Sequence, residues 1–128
     1  MARIEFIGTA HTPWRDRSAC PRSPDPDGPE CTIEVDPAFR AALLGVEEVE
    51  ALDVLLWFDR ADRSILRARR RGDPSEPERG VFALRAPDRP NPIAISTVPV
   101  VRVEDGVIVV RGLDAVDGTP VVDLKPAR

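Results

Sequence analysis

Residues Arg85 to Ala94 read RAPDRPNPIA, with prolines at 87, 90 and 92. Each proline lacks a backbone donor, holds φ at about −65° and pushes the residue before it toward extended geometry. Neither a helix nor a central strand can pass through Pro87–Pro92, so the segment is a stiff, shaped loop. A second cluster lies in TAHTPWRDRSACPRSPDPDGPE, Thr9 to Glu30, which holds five prolines and one glycine. A stretch of that length without periodicity is either functional or disordered in a compact domain, and Trp14 gives it something to dock with. Proline therefore cuts this chain into short elements joined by long loops.

Between the loops the pattern is that of strands. RIEFIG, Arg3 to Gly8, alternates at Ile4 and Phe6 and predicts a first strand, with CTIEV a second. Asp36 as N-cap and Pro37 at the first helical position open a short amphipathic helix. Its predicted buried face is Phe39, Leu43 and Leu44, and Gly45 ends it. Leu52 to Phe58, LDVLLWF, is an almost unbroken apolar run that predicts a buried central strand. Residues 59–80, first charged and then rich in breakers, predict a mobile surface excursion. VFALRA, PIAISTVPVVRVE, DGVIVVRGLD and PVVDLKP add β-branched runs, with Asp105-Gly106 as a hairpin turn. The expected fold is one mainly β domain over residues 1–128: a small β-barrel with one short amphipathic helix and long proline-rich loops.

Composition narrows the function classes. Hydrophobic residues at 42% and charged residues at 31% mark a globular chain. The formal net charge of −4 denies the molecule an overall basic field, so any phosphate binding must come from local patches. The densest is Arg60, Arg63, Arg67, Arg69, Arg70 and Arg71, a run that reads equally as a solvated face or a phosphate grip. Cys20 and Cys31 form no CxxC and have no histidine at ligand spacing, so no metal is expected. The N-terminus lacks a signal-peptide pattern and no apolar run reaches membrane-spanning length, which predicts a cytoplasmic protein with reduced thiols and no membrane partner. His11, the one histidine, reads as a loop contact, and Trp14 and Trp57 read as packing anchors.

The second informative phrase is GLDAVDGTPVVDLKP, Gly112 to Pro126. Asp117-Gly118-Thr119-Pro120 is a turn by composition. Spacing alone assigns the nearby carboxylates Asp114, Asp117 and Asp123 to turn capping and solvation.

Together, GVFALRAPDRPNPIAIS and GLDAVDGTPVVDLKP resemble the TrmO/TsaA-like family, small β-barrel methyltransferases that use S-adenosyl-L-methionine. The family words run G-x-F-A-T-R-S-P-x-R-P-N-P-I-G-x-S and L-D-x-x-D-G-T-P-x-x-D-I-K-P-Y. RIEFIGTAHTPW, CPR and LLWFDRA are similar to its flanking segments, so the resemblance covers essentially the whole chain as the barrel domain alone. It implies S-adenosyl-L-methionine as cofactor, a homodimer, and methyl transfer to N6 of threonylcarbamoyl-adenosine beside the tRNA anticodon. Its implied cofactor-binding positions are Arg22, Asp59 and Arg60 from the flanks, and Phe82, Ala83, Arg85, Arg89 and Asn91 from the first phrase. Asp117, Gly118, Thr119 and Pro120 come from the second.

Arg85 and Arg89 are planar donors suited to the methionine carboxylate, the ribose or an anionic group. Asn91 and the backbone near Phe82 and Ala83 would read adenine. No catalytic residue is singled out, since positioning alone supplies roughly 7–11 kcal/mol of such a barrier. With tRNA as substrate, Arg67, Arg69, Arg70 and Arg71 would hold phosphates. Leu84, Ala86, Ala94, Asp59 and Ala127 stand where the family pattern has Thr, Ser, Gly, His and Tyr. Two alternatives stay open: a small-molecule acceptor, and a non-catalytic module that binds the same cofactor.

Overall fold

Strands form between the proline-rich loops. The computed structural model describes residues 1–128 and holds eight strands: β1 (Gly8–His11), β2 (Glu30–Val35), β3 (Ala51–Trp57), β4 (Arg67–Arg69), β5 (Glu78–Gly80), β6 (Ile93–Glu104), β7 (Val107–Arg111) and β8 (Pro120–Pro126). Six close a barrel in the order β1-β2-β7-β6-β3-β8, all pairs antiparallel, while β4 and β5 make a separate hairpin. Closure removes the free edges that a small sheet would otherwise expose. Alternate residues point inward, and Ile33, Leu52, Val54, Leu56, Val98, Ile108, Val110 and Val121 fill the interior.

The longest strand positions the functional surface. Ile93–Pro99 of β6 pairs with β3, whereas Val100–Glu104 pairs with β7, with a register shift between Val100 and Arg102. Pro99 sits where the strand changes partners, so its missing donor interrupts neither ladder. The first half of β6 thus keeps one edge clear of β7, and loops gather along it. At the other end, Asp105 and Gly106 take φ of 50° and 77°, the left-handed pair of a tight hairpin turn.

Several expected elements differ from those observed. The first strand lies at Gly8–His11 rather than Arg3–Gly8, because pairing partners on β2 and β8 begin only there. Ile4 and Phe6 stay exposed, with the Phe6 ring 6.3 Å from that of Trp57 on the outside. The helix at Pro37–Leu43 winds as 3-10, and Asp36 caps it by accepting the Phe39 N–H on its carbonyl rather than through its side chain. Phe39 and Leu43 pack on the core, but the helix ends before Leu44, which is left 94% exposed. β3 alternates, with Leu55 and Trp57 on the outer face, as a barrel wall with one buried side requires. VFALRA contains no strand: Val81–Ala83 is a 3-10 turn with Phe82 84% exposed. No helix is long and apolar enough to cross a membrane.

Candidate functional site: a cleft walled by proline loops and arginines

A proline-rich loop is short of N–H donors and rich in carbonyls, so something outside the backbone must supply the missing donors. Arginine, with five N–H donors and no acceptor, is chemically matched to that need. Arg89 Nη1 donates to the carbonyls of Leu84 (3.0 Å) and Ala86 (3.3 Å), folding the loop over its own guanidinium. Arg63 Nε donates to Pro90 O at 2.6 Å and Nη2 to Asn91 Oδ1 at 3.0 Å, while its guanidinium lies over the Trp57 ring, 5.2 Å from the centroid. Arg17 reaches in from the long N-terminal loop and grips both oxygens of Asp88 at 3.1 and 3.3 Å. Burial pushes the Asp88 carboxyl up, but Arg17 and the Asp62 N–H outweigh it and hold it below its ordinary value.

The long loop is held by the barrel itself. Thr12 Oγ1 donates to Ala115 O at 2.7 Å and the Trp14 indole N–H to Leu113 O at 3.1 Å. The Asp117 N–H donates to Trp14 O at 2.7 Å, and Asp117 Oδ1 accepts the Thr12 N–H at 3.0 Å. Further along, the Asp25 N–H donates to Gly112 O at 3.0 Å, and the Gly112 N–H to Pro29 O at 2.9 Å. Gly112 has φ of 66°, and a Cβ there would lie 1.6 Å from Asp25 O, so only glycine lets the two segments meet.

These loops and the β4–β5 hairpin wall a cleft of about 1680 Å³, floored by Ile93–Ile95 of β6 and by Asp114–Val116. That exceeds the roughly 300–1,000 Å³ typical of small-ligand pockets, leaving room for a ligand and part of a larger molecule. Arg22 donates to Arg71 O, joining the long loop to the hairpin, and Arg69 donates to Glu76 O within it. Arg67 pairs loosely with Glu78 at 3.6 Å. Arg85 is exposed and has no partner in the protein. A second cavity, about 390 Å³ between the 3-10 segments and the barrel, is apolar apart from Asp123 and offers nothing to a charged cofactor.

Of the positions the sequence words imply, Arg22, Asp59, Arg60, Phe82 and Ala83 line the cleft, as do Arg85, Arg89 and Asn91. So do Arg67, Arg69, Arg70 and Arg71. Of the four implied positions in the second phrase, only Thr119 reaches it. Asp117, Gly118 and Pro120 lie on the turn behind, where Asp117 faces Thr12 and the ring of His11, with Nδ1 at 3.6 Å. Sequence reasoning passed over Arg17, Cys20 and the floor residues Ile95 and Asp114. Asp114 was legible only as one of three turn carboxylates. Burial pushes it up, against a 2.6 Å hydrogen bond from Ser96 Oγ. Burial, and then the neighbouring charge of Asp114, pushes the Cys20 thiol up to about 11.

The family profile described as the tRNA-methyltransferase O N-terminal domain matches residues 9–127. The chain belongs to the TrmO N-terminal domain family. It is 45% identical over 127 residues to the "Probable S-adenosyl-L-methionine-binding protein VirR" of Rhizobium radiobacter, a match covering 99% of this chain and 71% of that one. A "Probable S-adenosyl-L-methionine-binding protein" of Methanothermobacter thermautotrophicus is 38% identical over 124 residues, 97% of this chain and 88% of that one. The crystal structure of TrmO from Pseudomonas aeruginosa matches with a TM-score of 0.80 at 33% identity, over 100% of this chain and 56% of that chain. This TrmO-family barrel therefore spans little more than half the length of the solved TrmO chain.

The ligand in these relatives' names, S-adenosyl-L-methionine, fits the groups present. The unpartnered guanidinium of Arg85 suits its carboxylate, Asp59 its ammonium, and the exposed Phe82 ring its adenine.

Proposed function

We propose that this chain binds S-adenosyl-L-methionine in the cleft and transfers its methyl group to N6 of threonylcarbamoyl-adenosine next to the tRNA anticodon. The observation that carries this reading is the convergence on one cleft of Arg85, Arg89, Asn91 and Thr119, which come from two family words far apart in the chain. When bound, the cofactor supplies an electrophilic methyl carbon on a good leaving group.

The chain's own residues do the positioning. The proline loop is already braced by Arg63, Arg89 and the Arg17–Asp88 pair, so little ordering entropy remains to be lost on binding. Arg85 is free to hold a carboxylate, and Phe82 to stack. Leu84 and Ala86 offer no side-chain hydrogen bond, so acceptor contacts fall to the floor and the hairpin. Among the hairpin arginines, Arg70 and Arg71 carry guanidiniums with no protein acceptor and suit phosphates of a tRNA. Phe82, Ile93 and Ile95 leave exposed apolar surface in the cleft, which supports a homodimer closing over it. The cytoplasm is the compartment that this reading implies.

Calorimetry with S-adenosyl-L-methionine and tritium transfer from its labelled methyl group to threonylcarbamoyl-adenosine-containing tRNA test the proposal together. Binding with transfer supports it. Failure of tRNA to bind in a salt-sensitive way would favour a small-molecule acceptor, the reading that the net charge of −4 suggests. Sedimentation at micromolar concentration tests the dimer, and a purely monomeric species would overturn it.

A further inference from the structure

We propose that Asp114 is the proton acceptor of the methyl transfer, taking the N–H proton of the acceptor nitrogen; this rests on the methyltransferase reading above. Three carboxylates reach the cleft: Asp59, Asp88 and Asp114. Asp88 is occupied by both guanidinium bonds of Arg17 and by the Asp62 N–H. Asp59 is exposed on the rim, next in sequence to Arg60. Asp114 is half-buried like Asp88, but lines the cleft with no guanidinium on it.

Its surroundings hold it in place without neutralising it. The only hydrogen bond to its carboxylate from another residue is that of Ser96 Oγ to Oδ1 at 2.6 Å, and Ser96 is itself 1% exposed on β6, so the carboxyl plane is fixed from a rigid strand. No side-chain nitrogen or oxygen of the protein is buried without a partner, so Oδ2, which no other residue bonds, keeps accessible surface on a residue that lines the cleft. Arg22, Arg85 and Arg89 line the same cleft from the surrounding loops, and none of them bonds the carboxylate. The Cys20 thiol, raised to about 11 by burial and by the charge of Asp114, stays protonated at neutral pH and does not compete as a base. Burial likewise raises Asp114 itself, which improves it as a base.

In the step, the lone pair of the acceptor nitrogen attacks the methyl carbon as the carbon–sulfur bond breaks. That electron pair returns to sulfur, turning the sulfonium into a neutral thioether. The N–H proton passes to Oδ2 of Asp114, so the positive charge lost at sulfur is matched by the negative charge lost at the carboxylate. Release of the proton to water restores Asp114.

Asp114→Asn is the deciding variant, because the amide keeps an oxygen for Ser96 while losing basicity. Tritium transfer to threonylcarbamoyl-adenosine-containing tRNA is followed from about pH 5 to 9, alongside calorimetry with S-adenosyl-homocysteine. We expect kcat to fall at least about 100-fold at neutral pH, within the usual range for a positioned base. The acidic limb of the kcat profile should vanish, with product affinity changed less than about twofold. The melting temperature should not fall, since a buried charge is replaced by a neutral amide. A variant that keeps its turnover and its acidic limb overturns the assignment, as does one that loses product affinity in step with kcat. A wild type that binds S-adenosyl-homocysteine yet transfers nothing overturns the methyltransferase reading, and this inference with it.

Discussion

The two loops that wall the cleft are equally rich in proline and are held in opposite ways. Residues 12–29 are bonded to the barrel through main-chain groups and short side chains, with Thr12, Trp14, Asp25 and Pro29 meeting the segment after β7 at 2.7 to 3.1 Å. Residues 84–92 have main-chain bonds to the barrel side only at their end, from the Phe58 N–H to Pro92 O and the Ile93 N–H to Asn91 O, and otherwise depend on Arg17, Arg63, Arg89 and the Asp62 N–H. The first loop is therefore part of the folding unit. The second is a brace of exposed or half-exposed charged groups, whose stability is modest and screened by salt. Disturbing the first should unfold the protein, and disturbing the second should weaken the site while leaving the barrel standing.

The largest expected effect is Gly112→Ala. A Cβ 1.6 Å from Asp25 O, on a residue at φ of 66°, should cost about 3 kcal/mol or more in urea denaturation. Unchanged stability would mean that residues 12–29 are not seated against Gly112, and the contrast would collapse. Next comes Arg89→Ala, which frees the carbonyls of Leu84 and Ala86. Cofactor affinity should drop by about 1.5 kcal/mol, the scale of a charged hydrogen bond, with a denaturation midpoint close to wild type. A large loss of stability would show instead that the second loop folds with the barrel.

A smaller effect follows from Asp88. Its folded pKa is depressed, so its contribution is present above the unfolded carboxylate value of about 3.9 and is lost as pH falls through the lower, folded value. Amide exchange in residues 84–92 should accelerate below about pH 4, and Asp88→Asn should remove that acceleration. Acceleration that persists in the variant would assign the acid sensitivity elsewhere. The smallest structural effect belongs to Arg70→Ala with Arg71→Ala: no measurable change in stability, and a salt dependence of tRNA binding made shallower by about one for each phosphate no longer neutralised. An unchanged slope would remove these two side chains from any tRNA interface.

Most of the barrel was legible because its causes are local. PVVDLKP and CTIEV became β8 and β2 nearly residue for residue, and Asp105-Gly106 became the turn between β6 and β7. Proline excluded helix and strand from Pro87–Pro92, where none is found. The misplacements also have a common cause. RIEFIG alternates as a strand should, but whether an alternating segment pairs depends on partners at both edges, which for residues 3–6 are absent. VFALRA likewise has the composition of a strand and the position of a turn.

By itself, then, the sequence determined where backbone donors are missing, which segments can pair, and which two phrases mark the family. Only the tertiary structure decided who replaces the missing donors: Arg17 reaches Asp88, and Arg63 reaches Pro90, across separations no local pattern encodes. The same is true of the aspartates. Asp114 and Asp117 are three residues apart in one turn-like phrase, yet Ser96 holds the first on the cleft floor while Thr12 holds the second behind it. The physical reason is that proline's constraint is covalent and acts on its immediate neighbours, whereas the choice of a hydrogen-bond partner is made only when closure of the barrel brings distant segments within about 3 Å of each other.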